Sequence, residues 1–253
     1  MFLRDIQFLW DRVPSRERSG YPFHLPAYQG LERLELHQPI TFFIGENGTG
    51  KSTLLEAIAS LCEFPKSGGE MQAEEHSEAH DFPLDQVLRL SWMPKVRNGF
   101  FLRSETFYNF ATLLERRERD IDFMGNPYGR YGGKSLHQRS HGESFLALFQ
   151  NRFQERGNAI YLLDEPEAAL SPMRQLTFLR VMKTLVDTKR AQFIICTHSP
   201  ILLGYPGADI FSFDEAPIRK VAYEDTPHYT VTKSFMNRRD VMLRELFEDC
   251  NGE

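Results

Sequence analysis

Cysteine is scarce in this 253-residue chain. Cys62, Cys196 and Cys250 are widely separated, odd in number and free of any C-x-x-C pair. That argues against a disulfide framework or a zinc ribbon and for reduced thiols. The N-terminal stretch Met1 to Arg12 interrupts its apolar residues with Arg4, Asp5, Asp11 and Arg12, so it is neither a signal peptide nor a spanning helix. A cytoplasmic protein without an integral membrane segment is expected. A surplus of positive charge is also missing. Lys and Arg number 30 against 35 Asp and Glu, a formal charge of -5, and no bulk basic field advertises nucleic-acid binding. Only a local patch built from Arg97, Arg116, Arg117, Arg119, Arg130 and Arg139 remains, and such a run on a helix ordinarily reads as a solvated face. Internal repeats and low-complexity tracts are absent.

What is present fits one large α/β domain, or a core with a small subdomain, with ordinary shares of apolar (41%) and charged (26%) residues. Phenylalanine is abundant at 21 residues, which suggests an aromatic-rich core. The most informative run is Gly45-Glu46-Asn47-Gly48-Thr49-Gly50-Lys51-Ser52-Thr53. It follows the apolar stretch Ile40 to Ile44 and precedes Leu54, Leu55 and Ile58 at helical spacing. This is G-x-x-x-x-G-K-[ST] between a strand and a helix, the phosphate-binding loop. Glycines let the backbone turn tightly and approach phosphate oxygens, while the following helix N-terminus favours anions. Lys51 adds a point charge near the β- and γ-phosphates, and the Ser52 hydroxyl is placed to ligate Mg²⁺.

Residues 1 to 39 read as short strands and loops punctuated by Pro14, Pro22, Pro26 and Pro39. From Phe64 to Asp81 the composition shifts to Gly, Glu, His and Ser, and glycines crowd again between Gly125 and Gly133, so both stretches look like loops or insertions. Between them a strand is expected over Leu88 to Met93, another at Phe100 to Leu102, and a helix from Glu105 to Arg119. Downstream, helix Glu143 to Phe153, strand Ala159 to Asp164, helix Pro172 to Val186 and strand Gln192 to Thr197 alternate. That order predicts a largely parallel sheet covered on both faces. Near the C-terminus, Asp240 to Glu248 reads as a packing helix with Met242, Leu243, Leu246 and Phe247 on one face. Tyr223 to His228 reads as a turn.

The strand ending in Asp164-Glu165 supplies what hydrolysis needs beside a phosphate loop. Asp164 would support the Mg²⁺ shell, and Glu165 would position and deprotonate the attacking water. His198, in Thr197-His198-Ser199-Pro200, follows the next strand. It is therefore expected at the same sheet edge, within reach of the γ-phosphate. Ser140-His141-Gly142-Glu143-Ser144 forms an S-x-x-E capping box ahead of an apolar helical stripe, and a capped helix N-terminus is also an anion site.

Taken in order, these motifs resemble the ABC-type P-loop ATPase superfamily over roughly residues 30 to 215. Glu165 to Pro172 and Thr197 to Pro200 are similar to the heads of OLD and RecF-like ATPases, and Tyr21-Pro22-Phe23, Phe101 to Glu105 and Ser140 to Phe145 resemble small stand-alone bacterial ATPases. The resemblance implies a three-layer α/β core with a mostly parallel sheet, N-terminal antiparallel strands and a helical subdomain or insertion near residues 64–150, all in one ATPase domain over 1–253. It implies ATP and Mg²⁺ as ligands. ATP would be held by Glu46, Asn47, Gly48, Thr49, Gly50, Lys51, Ser52 and Thr53, and Mg²⁺ by Ser52 and Asp164, with Glu105 a further candidate. Glu165, His198 and Lys51 would be catalytic. Ser140, His141, Gly142 and Glu143 would reach the nucleotide of a second copy in a head-to-head dimer. His141 departs from the transporter pattern, which has glycine there. The glutamine that usually links nucleotide to the helical subdomain has no clear counterpart, with Glu105 preferred over Gln86. Tyr21 and Phe23 are candidates for adenine stacking, although a packing role is the commoner one for such aromatics.

The segment of about ninety residues between the phosphate loop and Ser140 carries no sustained heptads, so a long coiled-coil arm is not expected. The favoured function is an ATPase whose ATP-bound dimer regulates a nucleic-acid or effector-protein partner. The alternative is the nucleotide-binding subunit of a membrane transporter. A non-hydrolysing regulator is disfavoured by the presence of both Glu165 and His198.

Overall fold

The computed structural model describes residues 1–64, 83–103 and 157–249. The predicted helices over 105–119 and 143–153, the capping box at Ser140 and Glu105 lie outside the described residues.

Five apolar runs become the parallel strands of one sheet. In β3 (Ile40–Ile44), β6 (Ala159–Asp164), β7 (Ala191–Cys196) and β8 (Asp209–Ser212) every residue is buried. That is why these segments read as unbroken apolar runs rather than as alternating ones. With β5 (Asn98–Arg103) and the short antiparallel edge strand β9 (Arg219–Lys220), the order across the sheet is β5-β6-β7-β3-β8-β9. The chain places β7 between β3 and β6, so the two motif-bearing strands sit two positions apart with their C-terminal ends on the same edge. A second, antiparallel sheet of β1 (Leu3–Phe8), β2 (Arg33–Glu35) and β4 (Leu88–Trp92) has the order β2-β1-β4. This bears out the expected α/β class with N-terminal antiparallel strands.

Side chains alternate across the large sheet into two cores. On one side Phe43, Ile160, Leu162, Ile194 and Phe211 pack with Leu54, Leu55 and Ile58 of α1 (Lys51–Leu61) and with Leu3, Ile6 and Leu34 of the small sheet. On the other, Phe42, Tyr161, Leu163, Phe193 and Ile195 meet Phe178 and Met182 of α2 (Pro172–Asp187) and Leu202 and Leu203 of α3 (Pro200–Leu203). Burying such side chains contributes roughly 1.5–3 kcal/mol each relative to exposure, and among the described residues most phenylalanines lie in these cores. One polar side chain joins the sheets: Gln192 is fully buried, accepts from the backbone N–H groups of Phe2 and Leu3 (2.8 Å each) and donates to the Leu3 carbonyl at 2.9 Å.

Three expectations need correction. The C-terminal helix is not confined to residues 240–248; α4 spans Pro227–Asp249, with non-helical dihedrals at Arg238. It starts early because Pro227 is favourable at the first helical position and the buried Thr226 hydroxyl caps the Tyr229 N–H at 3.2 Å. Its residues 230–241 are exposed, and of the expected packing face Met242 and Leu243 are half-buried while Leu246 and Phe247 are exposed. Strands β8 and β9 had no counterpart in the sequence reading, since four residues or fewer give too little periodicity. Gln86 is exposed on a 3-10 turn, Leu84–Val87, tied by the Asp85 carboxylate to Ser60 at 2.5 Å. That is the C-terminal end of α1, about 15 Å along the helix from Lys51, so Gln86 cannot serve the phosphate loop.

Candidate functional site

The phosphate loop leaves β3 at its C-terminal end and enters α1 without a side-chain cap. Gly45, Gly48 and Gly50 have φ of +142°, +83° and +100°, a backbone that other residues adopt only with strain and from which anion nests are built. Gly50 has a second reason to lack a side chain: a Cβ there would lie 2.8 Å from Tyr28 Oη and Leu25 Cδ1. The buried Tyr28 hydroxyl instead donates to the Gly50 carbonyl at 2.6 Å. Lys51 is buried, and its ammonium donates to the carbonyls of Gly45 (2.6 Å) and Glu46 (2.7 Å), which puts the cation inside the loop. On the far side Asp214, just after β8, accepts from the Glu46 N–H at 2.6 Å. Sequence reasoning missed Asp214 and Tyr28, because neither stands in a motif.

Ser52 Oγ donates to Asp164 Oδ1 at 3.1 Å, bringing together the two side chains expected to share a metal ion. Burial raises the Asp164 carboxyl above its ordinary range, opposed by the Arg103 guanidinium, whose Nε lies 3.4 Å away, and by Ser52. A divalent cation would favour the ionised form there. One hydroxyl and one carboxylate also fit Mg²⁺, which takes few protein ligands and completes its shell with phosphate oxygens and water. Arg103 ends β5 in direct register with Asp164 and also pairs with Glu56 of α1 at 2.8 Å.

Glu165 is the next residue and has φ +50°, ψ +52°. A left-handed conformation at a non-glycine residue costs on the order of 1 kcal/mol and recurs at functional sites. Its N–H still reaches the Cys196 carbonyl at 2.9 Å, extending the β6–β7 ladder by one bond while the side chain turns off the sheet edge. His198 comes from the end of β7. Its backbone N–H donates to Glu167 Oε1 at 2.6 Å, and its Nε2 stands 3.8 Å from Glu165 Oε1, too far for a hydrogen bond. Among the described residues Nε2 is buried and has no hydrogen-bond partner. An orphaned imidazole nitrogen beside the loop suits a phosphate oxygen. Burial, and then the Lys51 charge, lower the His198 pKa, so the ring is neutral at physiological pH.

The structure thus brings Lys51, Ser52, Asp164, Glu165 and His198 to one sheet edge. Ser140, His141, Gly142, Glu143 and Glu105 lie outside the described residues, as do the arginines from Arg116 to Arg139, whereas Arg97 is exposed. Phe23 is buried and packs edge-on to Trp10, which removes it as a stacking platform. Tyr21 is exposed, and its hydroxyl hydrogen-bonds Thr53 at the start of α1. Burial pushes the Cys62 thiol up to about 12 and the Cys196 thiol well above its ordinary value, and both are free. Tyr223 to His228 is more than a turn, because it delivers His228 to His198.

A parallel sheet with a phosphate loop and an acidic strand end two strands away defines a P-loop nucleotide-binding fold. The chain belongs to the ABC-type P-loop ATPase superfamily. A family model described as an AAA domain matches residues 24–121, and one described as an AAA ATPase domain matches residues 135–203. The tungstate uptake system ATP-binding protein TupC of Peptoclostridium acidaminophilum is 31% identical over 63% of this chain and 74% of its own length. The thiamine import ATP-binding protein ThiQ of Haemophilus influenzae is 28% identical over 62% of this chain and 74% of its length. For a sugar import ATP-binding protein of Agrobacterium fabrum the chain spans only 37% of the relative. A metal-chelate type ABC transporter in an inward-facing conformation shares the fold, with a TM-score of 0.52 at 14% identity over 91% of this chain and 88% of that one. Among the described residues no helix is long and apolar enough to cross a membrane.

Proposed function

We propose that this chain hydrolyses ATP with Mg²⁺ and that the ATP-bound state is a head-to-head dimer regulating a nucleic-acid or effector-protein partner. The observation that carries the catalytic part is the convergence of Lys51, Ser52, Asp164, Glu165 and His198 at one sheet edge. Glu46 to Thr53 hold the phosphates through backbone N–H groups and the Lys51 charge. Ser52 and Asp164 hold the metal ion, with Glu105 a further candidate. The metal would supply charge neutralisation across the β- and γ-phosphates. Glu165, outside the metal pair and turned off the sheet by its left-handed backbone, orients water and accepts its proton. His198 donates toward the γ-phosphate. Ser140, His141, Gly142 and Glu143 complete the site of the opposite copy within a single ATPase domain, whose proposed helical insertion near 64–150 excludes β4 and β5, the strands that residues 88–92 and 98–103 contribute to the two sheets.

The relatives' names favour a second reading, a nucleotide-binding subunit that works with a membrane permease. One set of measurements addresses both. Glu165→Gln is expected to slow ATP turnover by on the order of 10² to 10⁴ and to accumulate an ATP-bound dimer, followed by light scattering; unchanged turnover removes Glu165 from its role. Stimulation of the wild type by DNA or RNA, fading steeply with salt, supports the regulatory reading. Stimulation only in the presence of a co-purified permease supports the transport one.

A further inference from the structure

His228, the second residue of α4, reaches back to the sheet edge. Its Nε2 lies 3.1 Å from His198 Nδ1, with ring centroids 5.3 Å apart and planes inclined by 49°. The approach is fixed from several directions. Thr226 caps the helix, the Tyr223 and Tyr229 rings meet at a 55° tilt with centroids 4.7 Å apart, and the Tyr223 hydroxyl donates to the Pro200 carbonyl at 2.9 Å, anchoring the root of α4 to α3. The two rings leave two outer nitrogens, His198 Nε2 and His228 Nδ1. Both are buried and lack a hydrogen-bond partner among the described residues.

We infer that His228 is a positioning residue that fixes the tautomer of His198, presenting Nε2–H toward the phosphate-binding space. Two neutral imidazoles joined by one hydrogen bond share a single bridging proton, so only two arrangements exist. If His198 Nδ1–H donates to His228, then His198 Nε2 is a bare lone pair. If His228 Nε2–H donates to His198 Nδ1, then His198 Nε2 carries the hydrogen. The groups facing Nε2 decide between them. Glu165 Oε1 at 3.8 Å is an acceptor only, as is any phosphate oxygen, and a lone pair aimed at either is repelled. The second arrangement is therefore selected, with His228 as the donor. It leaves His228 Nδ1 as the bare nitrogen, and a neutral acceptor is the less costly of the two groups to bury unpaired. Burial, the mutual contact and the nearby Lys51 ammonium keep both rings neutral, which the single-proton bridge requires. Because His228 belongs to the first turn of α4, the same bond links the phosphate-facing histidine to a helix whose residues 230–241 are exposed.

This inference rests on His198 facing the γ-phosphate, so its test includes a readout independent of turnover. Long-range proton–nitrogen correlation spectra of the full chain labelled with ¹⁵N-histidine, at about pH 7.5 where both rings are neutral, should show His198 protonated on Nε2 and His228 donating from its own Nε2. His228→Phe removes the donor. His228→Asn, whose amide ends near the Nδ1 position, falls short of His198. His228→Gln places an N–H close to the original Nε2. The first two should mix the His198 tautomers and lower kcat on the order of tenfold with KM within about twofold, whereas His228→Gln should keep the tautomer and most of kcat. Each variant should retain the wild-type melting midpoint to within a few degrees, about what one surface-proximal hydrogen bond moves. Wild-type His198 protonated on Nδ1, or a His228→Asn protein with unchanged tautomer and turnover, overturns the inference. So does a His228→Gln protein as slow as His228→Asn. A wild type without ATP turnover overturns the proposed function instead, while the spectra still decide the tautomer.

Discussion

At the scale of single residues, the phosphate loop depends on partners that belong to no motif. Gly50 is confined by its φ of +100° and by the space a Cβ would need against Leu25 and Tyr28. Gly50→Ala is therefore expected to lose about 3 kcal/mol of stability, from a strained backbone and overpacking together. Tyr28→Phe keeps the ring but removes the donor to the Gly50 carbonyl, which retains its helical bond from the Leu54 N–H. The cost should then be about 1 kcal/mol. Urea titrations of both variants give the comparison, and a Tyr28→Phe loss as large as that of Gly50→Ala would mean that the hydroxyl does more than hold one carbonyl. Glu165 follows the same pattern: the acidic pair is visible in the sequence, but its left-handed turn, which separates the proposed general base from the proposed metal ligand next to it, is not.

Among elements, the antiparallel sheet and the large parallel sheet are held in register by apolar packing and by Gln192. β7 is otherwise an apolar strand, and a glutamine in it looks out of place until Phe2 and Leu3 supply its partners from the other end of the chain. Gln192→Leu has nearly the same volume but leaves two buried N–H groups unpaired, a cost of roughly 2–4 kcal/mol. Amide exchange should quicken first in β1, and unchanged exchange there would show that packing alone holds the sheets together. The same reasoning explains α4. Its exposed middle gave no amphipathic signal, so only the part near residues 240–248 stood out, and the true start was set by a cap and a proline.

For the molecule as a whole, the half-buried histidine pair ties stability to pH. Both His198 and His228 have pKa values lowered below the ordinary value, burial being the largest cause; Lys51 opposes the charge of both, and His198 that of His228, while Glu46 and Asp214 favour charge on both rings and Glu165 on His198. The unfolded chain then binds more protons than the folded one as pH falls below about 6.5. Their contribution is complete above that value and declines as pH drops through the lowered folded values. Wild-type stability should fall more steeply between about pH 6.5 and 5 than that of His228→Gln, which has one titrating ring fewer. Parallel slopes from thermal denaturation would show that the pair does not titrate on unfolding.

The contiguous patterns in the chain were enough to determine the phosphate loop, the acidic strand end, the histidine after the next strand and the α/β class. Each of those is a local pattern whose physics lies within about ten residues: a strand, a tight turn and a helix start. Tertiary structure decided the rest. Sheet order, with β7 interposed between β3 and β6, sets which of those residues meet. Long-range contacts then select Tyr28, Asp214, Gln192 and His228, whose importance comes from a partner 22 to 190 positions away. A hydrogen bond between distant residues leaves no periodicity in a single sequence, and only the folded backbone reveals its partner.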